Sequence, residues 1–384
     1  MITKIFYSPC TFDLIEKKPG NDPYIFVLYY RHLSDYVKKQ NIRFYYQLKE
    51  YPSLISLTSM SSHDYEGEQA KEPTDDEKIY QQELECAKLV IYDNDECEFV
   101  EDCEGKTIKL FYIDGVPQET VFHSTLHNDA RTFTANADDV WVMSWPRSGS
   151  HWVWEITQRL LHGIDSFVGP LQKELSVFAL NTVGMKDIRR PRVISCHLGR
   201  EFAPVDIFKK GSKMIYLVRD PRDAMVSWYK FIQRHDGFKY DGTWNGFLSL
   251  YFQDKIPRGT WEKHTKGWLQ ESRNNKNIFF LKYEGLRHDP LKWIKEIALF
   301  LRPGETYSET ELMRLKEKTD LSTMRKNNAT YEPYHKEGGL GTQYDKGRIG
   351  TWKDWFTVAQ LEDYKRHYHQ YMDDVDNSDL GYIQ

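Results

Sequence analysis

The chain has no apolar run long enough to cross a lipid bilayer. The apolar stretch near its start, residues 24–30, is far shorter than the roughly 20 residues that a transmembrane helix needs. This stretch also lacks the basic flank and the small-residue cleavage site of a secretory signal. The five cysteines are an odd number, which favours a reducing compartment over a disulfide framework. The sequence therefore predicts a cytoplasmic protein.

A net positive charge is also lacking. The formal net charge is −5 and no basic stripe occurs, which argues against a general nucleic-acid-binding protein. The Walker A pattern G-x-x-x-x-G-K-[ST] of ATP-binding loops is missing. Cys86, Cys97 and Cys103 lack the tight spacing of a four-ligand metal site, so we interpret them as structural thiols. Any recognition of an anion must therefore be local, and no metal is expected.

The organisation of the chain changes near residue 106. Residues 58–78 are poor in apolar side chains and predict a mobile connector within an N-terminal extension, residues 1–105, whose function the sequence does not indicate. In residues 106–384, strand-like apolar runs end at Ser144, Cys196, Arg219 and Tyr283. The intervals between these runs are long enough for helical crossovers, and the runs do not alternate strictly. This pattern predicts an α/β domain with a buried parallel sheet.

One helix is well marked after the last of these strands. Asp289 can cap it, and Pro290 suits its first turn. An apolar face follows, and Pro303-Gly304 ends the pattern; the face consists of Ile294, Ile297, Ala298 and Leu301.

The most informative segment is Trp145–Trp152, with the sequence WPRSGSHW. It joins an apolar strand to a segment with helical apolar spacing. A strand, a tight turn and a helix form an anion cradle, because backbone N–H groups and the positive end of the helix dipole converge there. Arg147 adds a cation at this turn. We therefore predict a phosphate-like ligand here, but not ATP with magnesium.

Two further segments could bind anions. Arg219 ends a predicted strand, Pro221 and Asp223 open a helix, and Ser227 lies further along it. A surface ion pair between arginine and aspartate explains this segment equally well. The third segment, residues 346–353 (KGRIGTWK), places cations beside glycines, although a solvated turn is the commoner explanation of such a pattern.

Taken together, the three segments resemble those of the cytosolic sulfotransferases, which transfer a sulfonyl group from 3′-phosphoadenosine 5′-phosphosulfate (PAPS) to a hydroxyl or amine. The resemblance runs from about Tyr112 to the C-terminus and includes three more motifs: residues 112–117 (YIDGVP), 191–198 (PRVISCHL) and 353–362 (KDWFTVAQLE). It implies a P-loop-like three-layer sandwich in which helices flank a central parallel sheet.

The resemblance also implies roles for individual residues, with PAPS as co-substrate and no metal. The 5′-phosphate would be bound by Ser148, Gly149, Ser150 and His151. The 3′-phosphate would be bound by Arg219, Ser227, Lys346, Gly347 and Arg348. The adenine would lie against Trp152, Tyr283 and Thr319. Three residues would act in catalysis: His197 as general base, Arg147 beside the bridging oxygen, and Ser227.

Three positions depart from the family pattern. Arg147 replaces a lysine, Ser195 replaces a second lysine, and Asp345 stands where many members have an arginine. These departures leave a second hypothesis open, a catalytically weak nucleotide-binding regulatory protein of the same fold. A third hypothesis, a metal-dependent small-molecule kinase, is far less favoured. The enzyme hypothesis predicts a small acceptor with a hydroxyl group, aromatic or alcoholic.

The last motif of the resemblance implies a homodimer. Its residues Lys353, Thr357, Val358 and Glu362 would meet their counterparts across a two-fold axis. So short a motif predicts a small interface.

Overall fold

The structure is a computed structural model that describes residues 97–118, 132–166, 189–234, 238–329 and 347–383. The first of these ranges forms an antiparallel sheet of strands β1 (Glu98–Glu101), β2 (Thr107–Ile113) and β3 (Val116–Gln118). In the turn between β1 and β2, the Asp102 carboxylate accepts hydrogen bonds from the N–H groups of Glu104 and Lys106 at 2.8 and 2.9 Å. The domain boundary predicted between residues 105 and 106 lies within this turn.

A parallel sheet of four strands forms the centre of the described residues. Its strands are β4 (Val140–Ser144), β5 (Val193–Cys196), β6 (Lys213–Val218) and β7 (Ile278–Lys282), in the order β5-β4-β6-β7. All three neighbouring pairs are parallel. The four strand-like runs predicted from the sequence are therefore confirmed, as is the α/β class.

The order of the strands places a crevice at the end of β4. From β4 the chain goes first to β5 on one side and later to β6 on the other, so the direction of the crossovers reverses at β4. In sheets of this kind, ligands bind outside the carboxyl ends of the strands at such a switch point. The register aligns Met143 with Cys196 and Ser144 with Leu217, so the segments that follow β4, β5 and β6 emerge side by side.

Helices cover both faces of this sheet. They are α1 (Ser150–His162), α2 (Val205–Lys210), α3 (Pro221–Arg234), α4 (Trp244–Phe252), α5 (Trp261–Asn274), α6 (Tyr283–His288), α7 (Pro290–Leu301), α8 (Glu309–Lys318), α9 (Leu321–Ala329) and α10 (Val358–Met372). Short 3₁₀ turns span Arg200–Phe202 and Thr351–Asp354. Among these helices, none has both the length and the apolar character that spanning a bilayer requires.

Alternate strand residues contribute to two separate hydrophobic cores. Trp141 and Met143 of β4 belong to a core that includes residues of α3, α4, α5 and α10. Val140 and Val142 of the same strand belong to a second core, on the other face, with residues of α1, α6, α7 and α8. This arrangement is the three-layer sandwich that the resemblance implied. It also explains why the strands lack polar alternation, since both faces are buried.

The predicted helix after Tyr283 is confirmed as α7. The Asp289 carboxylate accepts a hydrogen bond from the Lys292 N–H at 3.2 Å, and Pro290 occupies the first turn. The predicted apolar face is buried; its members are Ile294, Ile297, Ala298 and Leu301.

Candidate active site

The turn between β4 and α1 has an unusual backbone. Arg147 has φ 64° and Gly149 has φ 102°, both in the left-handed region. A Cβ atom on Gly149 would lie 2.9 Å from a ring carbon of Tyr283, so the turn tolerates only glycine there. The first turn of α1 contains no acidic residue, and the first N–H groups of a helix have no partner within the helix. This turn can therefore accept an anion.

Ser148 supplies an independent indication of a ligand. Its side chain is fully buried, and its hydroxyl has no hydrogen-bond partner among the described residues. A buried polar group without a partner costs free energy, so natural structures rarely retain one. An oxygen of a bound phosphate would satisfy this hydroxyl.

The loop between β6 and α3 lies against this turn. Arg219 Nη1 donates a hydrogen bond of 2.9 Å to the Arg147 carbonyl, and Arg147 Nε donates one of 3.2 Å to Ser227 Oγ. The buried Arg219 Nε has no hydrogen-bond partner among the described residues. Its guanidinium carbon lies 4.7 Å from the centre of the Tyr283 ring. The structure thus brings together the first two predicted anion-binding segments, and one donor of Arg219 is left for a ligand.

The third predicted segment reaches the same place. Arg219 Nη2 donates to the Arg348 carbonyl at 3.4 Å. A Cβ atom on Gly347 would lie 2.9 Å from a methyl carbon of Leu321 and 3.7 Å from the Tyr283 hydroxyl. Lys346 and Asp345 lie outside the described residues.

A buried carboxylate attaches this third segment to α3. The fully buried Asp223 accepts hydrogen bonds from the N–H groups of Gly350 and Trp352, at 2.7 and 3.0 Å. It also accepts one from the Thr351 hydroxyl at 2.9 Å. Asp223 therefore fixes the segment that carries Gly347 and Arg348 against the start of the helix that carries Ser227.

The aromatic side of the site contains Trp152 and Tyr283. Their rings meet edge to face, with centroids 6.1 Å apart. The Arg287 guanidinium lies 5.7 Å from the centre of the Trp152 ring. Arg287 was missed by the sequence analysis, although its position four residues after Tyr283 in α6 places both on one face of the helix.

Thr319 is linked to the site through the nearby residue Leu321. It is buried at the C-terminal end of α8, where its hydroxyl donates to the Leu315 carbonyl at 2.9 Å. It precedes Leu321, the residue beside Gly347. Thr319 is thus near the aromatic side of the site, but its hydroxyl is engaged within its own helix end.

His197 directly follows β5 and is half-buried. Its Nδ1 lies 2.8 Å from the Ser144 carbonyl and 3.3 Å from the Ser144 hydroxyl. Because a carbonyl can only accept, Nδ1 carries a proton and Nε2 keeps its lone pair. Burial lowers the pKa of His197 to about 4, and the positive charges of Arg258 and Arg147 lower it as well. The imidazole is therefore neutral at pH 7.

Arg258 is a second residue that the sequence analysis missed. It is buried at 8% exposure and has φ 73°, and its N–H donates to the Pro117 carbonyl at 2.7 Å. Its neighbour Gly259 accepts a hydrogen bond from the Trp145 indole at 3.0 Å. No short sequence motif indicates that Arg258 lies close enough to His197 to affect its pKa, because this proximity depends on the packing of a distant loop.

The residues predicted for dimerisation lie elsewhere on the surface. Thr357 caps α10, and its hydroxyl accepts from the Gln360 N–H at 3.2 Å. Val358 is 81% exposed. Lys353 and Glu362 are also exposed.

Comparison with known sequences agrees with this geometry. The profile of the sulfotransferase domain matches residues 137–376. Mouse sulfotransferase 1A1 is 30% identical over 281 residues, which cover 70% of this chain and 95% of that protein. Human sulfotransferase 4A1 is 30% identical over 250 residues, which cover 64% of this chain and 84% of that protein.

Solved structures show the same relationship. Mouse sulfotransferase SULT7A1, complexed with PAP, superimposes with a TM-score of 0.61 at 27% identity, covering 71% of this chain and 98% of that one. Retinol dehydratase, in complex with androsterone and the inactive cofactor PAP, gives a TM-score of 0.54 at 20% identity, which shows the shared fold. This alignment covers 73% of this chain and 91% of that one. The chain therefore belongs to the family of cytosolic, PAPS-dependent sulfotransferases.

Proposed function

We propose that this chain transfers the sulfonyl group of PAPS to a hydroxyl or amine of a small acceptor, with His197 as the general base. The hydrogen bond of 2.8 Å between His197 Nδ1 and the Ser144 carbonyl carries this proposal. It assigns the proton to Nδ1, so the lone pair of Nε2 is free to accept another. Because the pKa of His197 is lowered to about 4, this lone pair is present at neutral pH.

The proposed reaction is an in-line displacement at sulfur. The acceptor oxygen forms a bond to sulfur while Nε2 of His197 takes its proton. The bond between sulfur and the bridging oxygen breaks, and the adenosine bisphosphate PAP leaves. Arg147 neutralises the negative charge that develops on the bridging oxygen. Its hydrogen bond to Ser227, at 3.2 Å, orients the guanidinium, which is the catalytic role that we propose for Ser227.

The donor would be bound by the segments that meet at the strand ends. The 5′-phosphate would lie on the α1 turn, and the proposed contacts are Arg147, Ser148, Gly149, Ser150 and His151. The 3′-phosphate would be bound by Arg219 and Ser227, and the resemblance adds Lys346, Gly347 and Arg348 as further contacts. The adenine would contact Trp152 and Tyr283, with Thr319 nearby. The unpartnered Ser148 hydroxyl and Arg219 Nε support this placement, because both are buried donors that an anionic oxygen would satisfy.

The acceptor is proposed to be a phenol or a small alcohol. The Phe231 ring centre lies 5.0 Å from the guanidinium carbon of Arg147, and Trp228 stacks on Phe231 with centroids 5.4 Å apart. Flat apolar side chains beside the reacting centre suit a flat apolar acceptor.

We also propose a homodimer through Lys353, Thr357, Val358 and Glu362. The 81% exposure of Val358 supports this, because a valine at the first position of a capped helix gains from burial against a second copy. The small number of residues suggests a weak interface.

The alternative function is a regulatory protein that binds the nucleotide and turns over little. Ser195, fully buried in β5, favours it, because the resemblance assigns a lysine to this position. The replacement removes a cation near the proposed reacting centre.

One experiment separates the two functions. The full chain is incubated with ³⁵S-labelled PAPS and a panel of phenols, alcohols and amines, and PAP binding is measured by calorimetry. Enzymatic function predicts label in an acceptor, and H197A should then lose turnover while keeping its affinity for PAP. A matched variant, H369A, removes an exposed histidine of α10 and should behave as wild type. PAP binding without transfer to any acceptor would favour the regulatory function.

A further inference from the structure

A hydrogen-bonded chain of buried side chains ends on the backbone of His197. We propose that His264 is a positioning residue for His197, acting through the His197 carbonyl as part of a chain that begins at Tyr216. This role rests on the proposed function, because it presupposes that His197 takes the proton of the acceptor. His264 itself would not contact the substrate.

The geometry comes from one face of α5. His264 Nε2 lies 3.3 Å from the His197 carbonyl oxygen, and Trp268 Nε1 donates to the Leu198 carbonyl at 3.1 Å. His264 and Trp268 are four residues apart, so both side chains point the same way from the helix. The register of β4 and β5 ends at Cys196, so these two carbonyls lie just beyond it. Side chains of α5 therefore bond the backbone where the sheet pairing stops.

The chemical nature of each partner fixes the direction of every hydrogen bond. The His197 carbonyl can only accept, so His264 Nε2 must carry the proton. The lone pair of His264 is then on Nδ1, which lies 3.0 Å from the Tyr216 hydroxyl. Tyr216 donates its single proton to Nδ1, so the Thr265 hydroxyl, 3.0 Å away, donates to the Tyr216 oxygen. The Tyr216 ring packs on that of His264, with centroids 5.9 Å apart and planes inclined by 28°. Burial lowers the pKa of His264 to about 3, so the ring remains neutral and has a single N–H donor.

This chain supplies the second of two anchors for His197. The first joins Nδ1 to the Ser144 carbonyl of β4 at 2.8 Å. The second holds the His197 backbone, through His264 of α5 and Tyr216 of β6. Because the ring and the backbone of His197 are both held, the lone pair of Nε2 points in a fixed direction. General-base catalysis needs this precision, since a misplacement of about 1 Å can cost on the order of 10²-fold in rate.

Three variants test the role of His264. H264L removes the donor at similar volume, and we expect kcat to fall by about tenfold or more because the base is misplaced. H264Q should recover most of this loss, because its amide nitrogen is as many bonds from Cβ as the histidine Nε2. S272A is the control: Ser272 also lies on α5, but its hydroxyl donates to the Leu269 carbonyl of the same helix rather than to Tyr216 or the His197 carbonyl. Kinetics use the best acceptor of the panel, and calorimetry gives the Kd for PAP.

The result that supports the role is a loss of kcat in H264L with an unchanged Kd for PAP, recovery in H264Q and wild-type behaviour in S272A. Equal losses in H264L and H264Q, or a parallel loss of PAP affinity, would overturn it. Should H264L fail to fold, Y216F replaces it, because this change removes only the hydroxyl that bonds Nδ1. Lowered kcat in Y216F supports the chain, and wild-type kcat refutes it.

A double-mutant cycle with H197A separates this inference from the proposed function. If His264 acts through His197, adding H264L to H197A lowers the residual rate no further. An additional loss in the double variant would show that His264 acts independently. If H197A alone keeps wild-type turnover, the general base is wrongly assigned and the proposed function fails with it. If H197A loses turnover but H264L and Y216F keep wild-type turnover, the positioning role is wrong and the proposed function stands.

Discussion

Arg147 and Ser227 are directly hydrogen-bonded, with Arg147 Nε donating to Ser227 Oγ at 3.2 Å, although 80 residues separate them in the chain. Arg147 belongs to the turn after β4, and Ser227 to the helix after β6. Since Arg219 also bonds the Arg147 carbonyl, two hydrogen bonds join the turn after β4 to the segment that follows β6. A donor with a phosphate at each end would therefore bind to a single connected network.

Replacing Ser227 by alanine tests this connection. S227A removes an acceptor of Arg147 and a proposed contact of the 3′-phosphate. A hydrogen bond to a charged group contributes roughly 1.5–3 kcal/mol, so PAP affinity should fall by about tenfold or more. Calorimetric titration with PAP measures the change. In S272A, which loses a hydroxyl that bonds the Leu269 carbonyl within α5, PAP affinity should stay the same; equal losses in both variants would contradict the role of Ser227.

Replacing Gly149 by alanine, with Gly115 as a control, distinguishes the effect of backbone strain on stability from the effect of site shape on PAP affinity. G149A places a Cβ in a left-handed residue, at about 1–2 kcal/mol, and also 2.9 Å from Tyr283. We expect lower stability and a clear loss of PAP affinity, because Tyr283 must move. Gly115 is the matched control: its φ is 79° and nothing lies within 4 Å of an added Cβ. G115A should lose stability alone, as followed by urea denaturation and calorimetry. PAP affinity that survives in G149A would place the nucleotide elsewhere.

Asp223 should control the position of the third segment that we propose to bind an anion. D223N leaves one carbonyl oxygen where the carboxylate accepts three hydrogen bonds, so the segment that carries Gly347 and Arg348 should loosen. The expected result is PAP affinity weaker by about tenfold, in line with the loss of one or two bonds to a charged acceptor. The control D206N changes a carboxylate that accepts from the Ala135 N–H at 3.0 Å, at the other end of β4. If D223N binds PAP like wild type, the segment does not contribute to the nucleotide site.

Local signals predicted much of the fold. The strands ending at Ser144 and Cys196 were evident because strands buried on both faces require continuous apolar runs. The helix capped by Asp289 was evident because capping is encoded within a few residues. The three segments predicted to bind anions could be proposed for the same reason, since a phosphate turn is a local structure.

Contacts across the fold were not predictable. His264 meets the His197 carbonyl from a helix 67 residues further along the chain, and Asp223 bonds Gly350 across 127 residues. Such contacts depend on the packing of α3 and α5 on one face of the sheet, which periodicity does not reveal. Arg258, whose N–H bonds the Pro117 carbonyl, is a third residue whose contacts depend on packing across the fold. By contrast, Arg287 could have been found from its spacing to Tyr283.

Three histidines should make the folded state sensitive to acid. Burial lowers the pKa of His162 and His197 to about 4 and that of His264 to about 3, against 6.5 for an ordinary histidine. Between pH 6.5 and about 4, the unfolded chain therefore binds protons that the folded chain does not, and the free energy of unfolding falls as the pH is lowered. Glu284 acts in the opposite direction, because burial raises its pKa.

The stability loss is confined to a defined pH window. The free energy of unfolding should be greatest above pH 6.5, and His197 and His264 should each lower it by roughly 1.2 kcal/mol per pH unit at pH 5.0–5.5. Urea denaturation at pH 7.5, 6.5, 5.5 and 5.0 measures this dependence. H264Q lacks one of the titrating groups, so its dependence should be shallower by about one proton in the same window. A wild-type chain equally stable at pH 7.5 and 5.0 would mean that the folded and unfolded chains bind equal numbers of protons over this range, which would contradict the lowered pKa of His197 and His264.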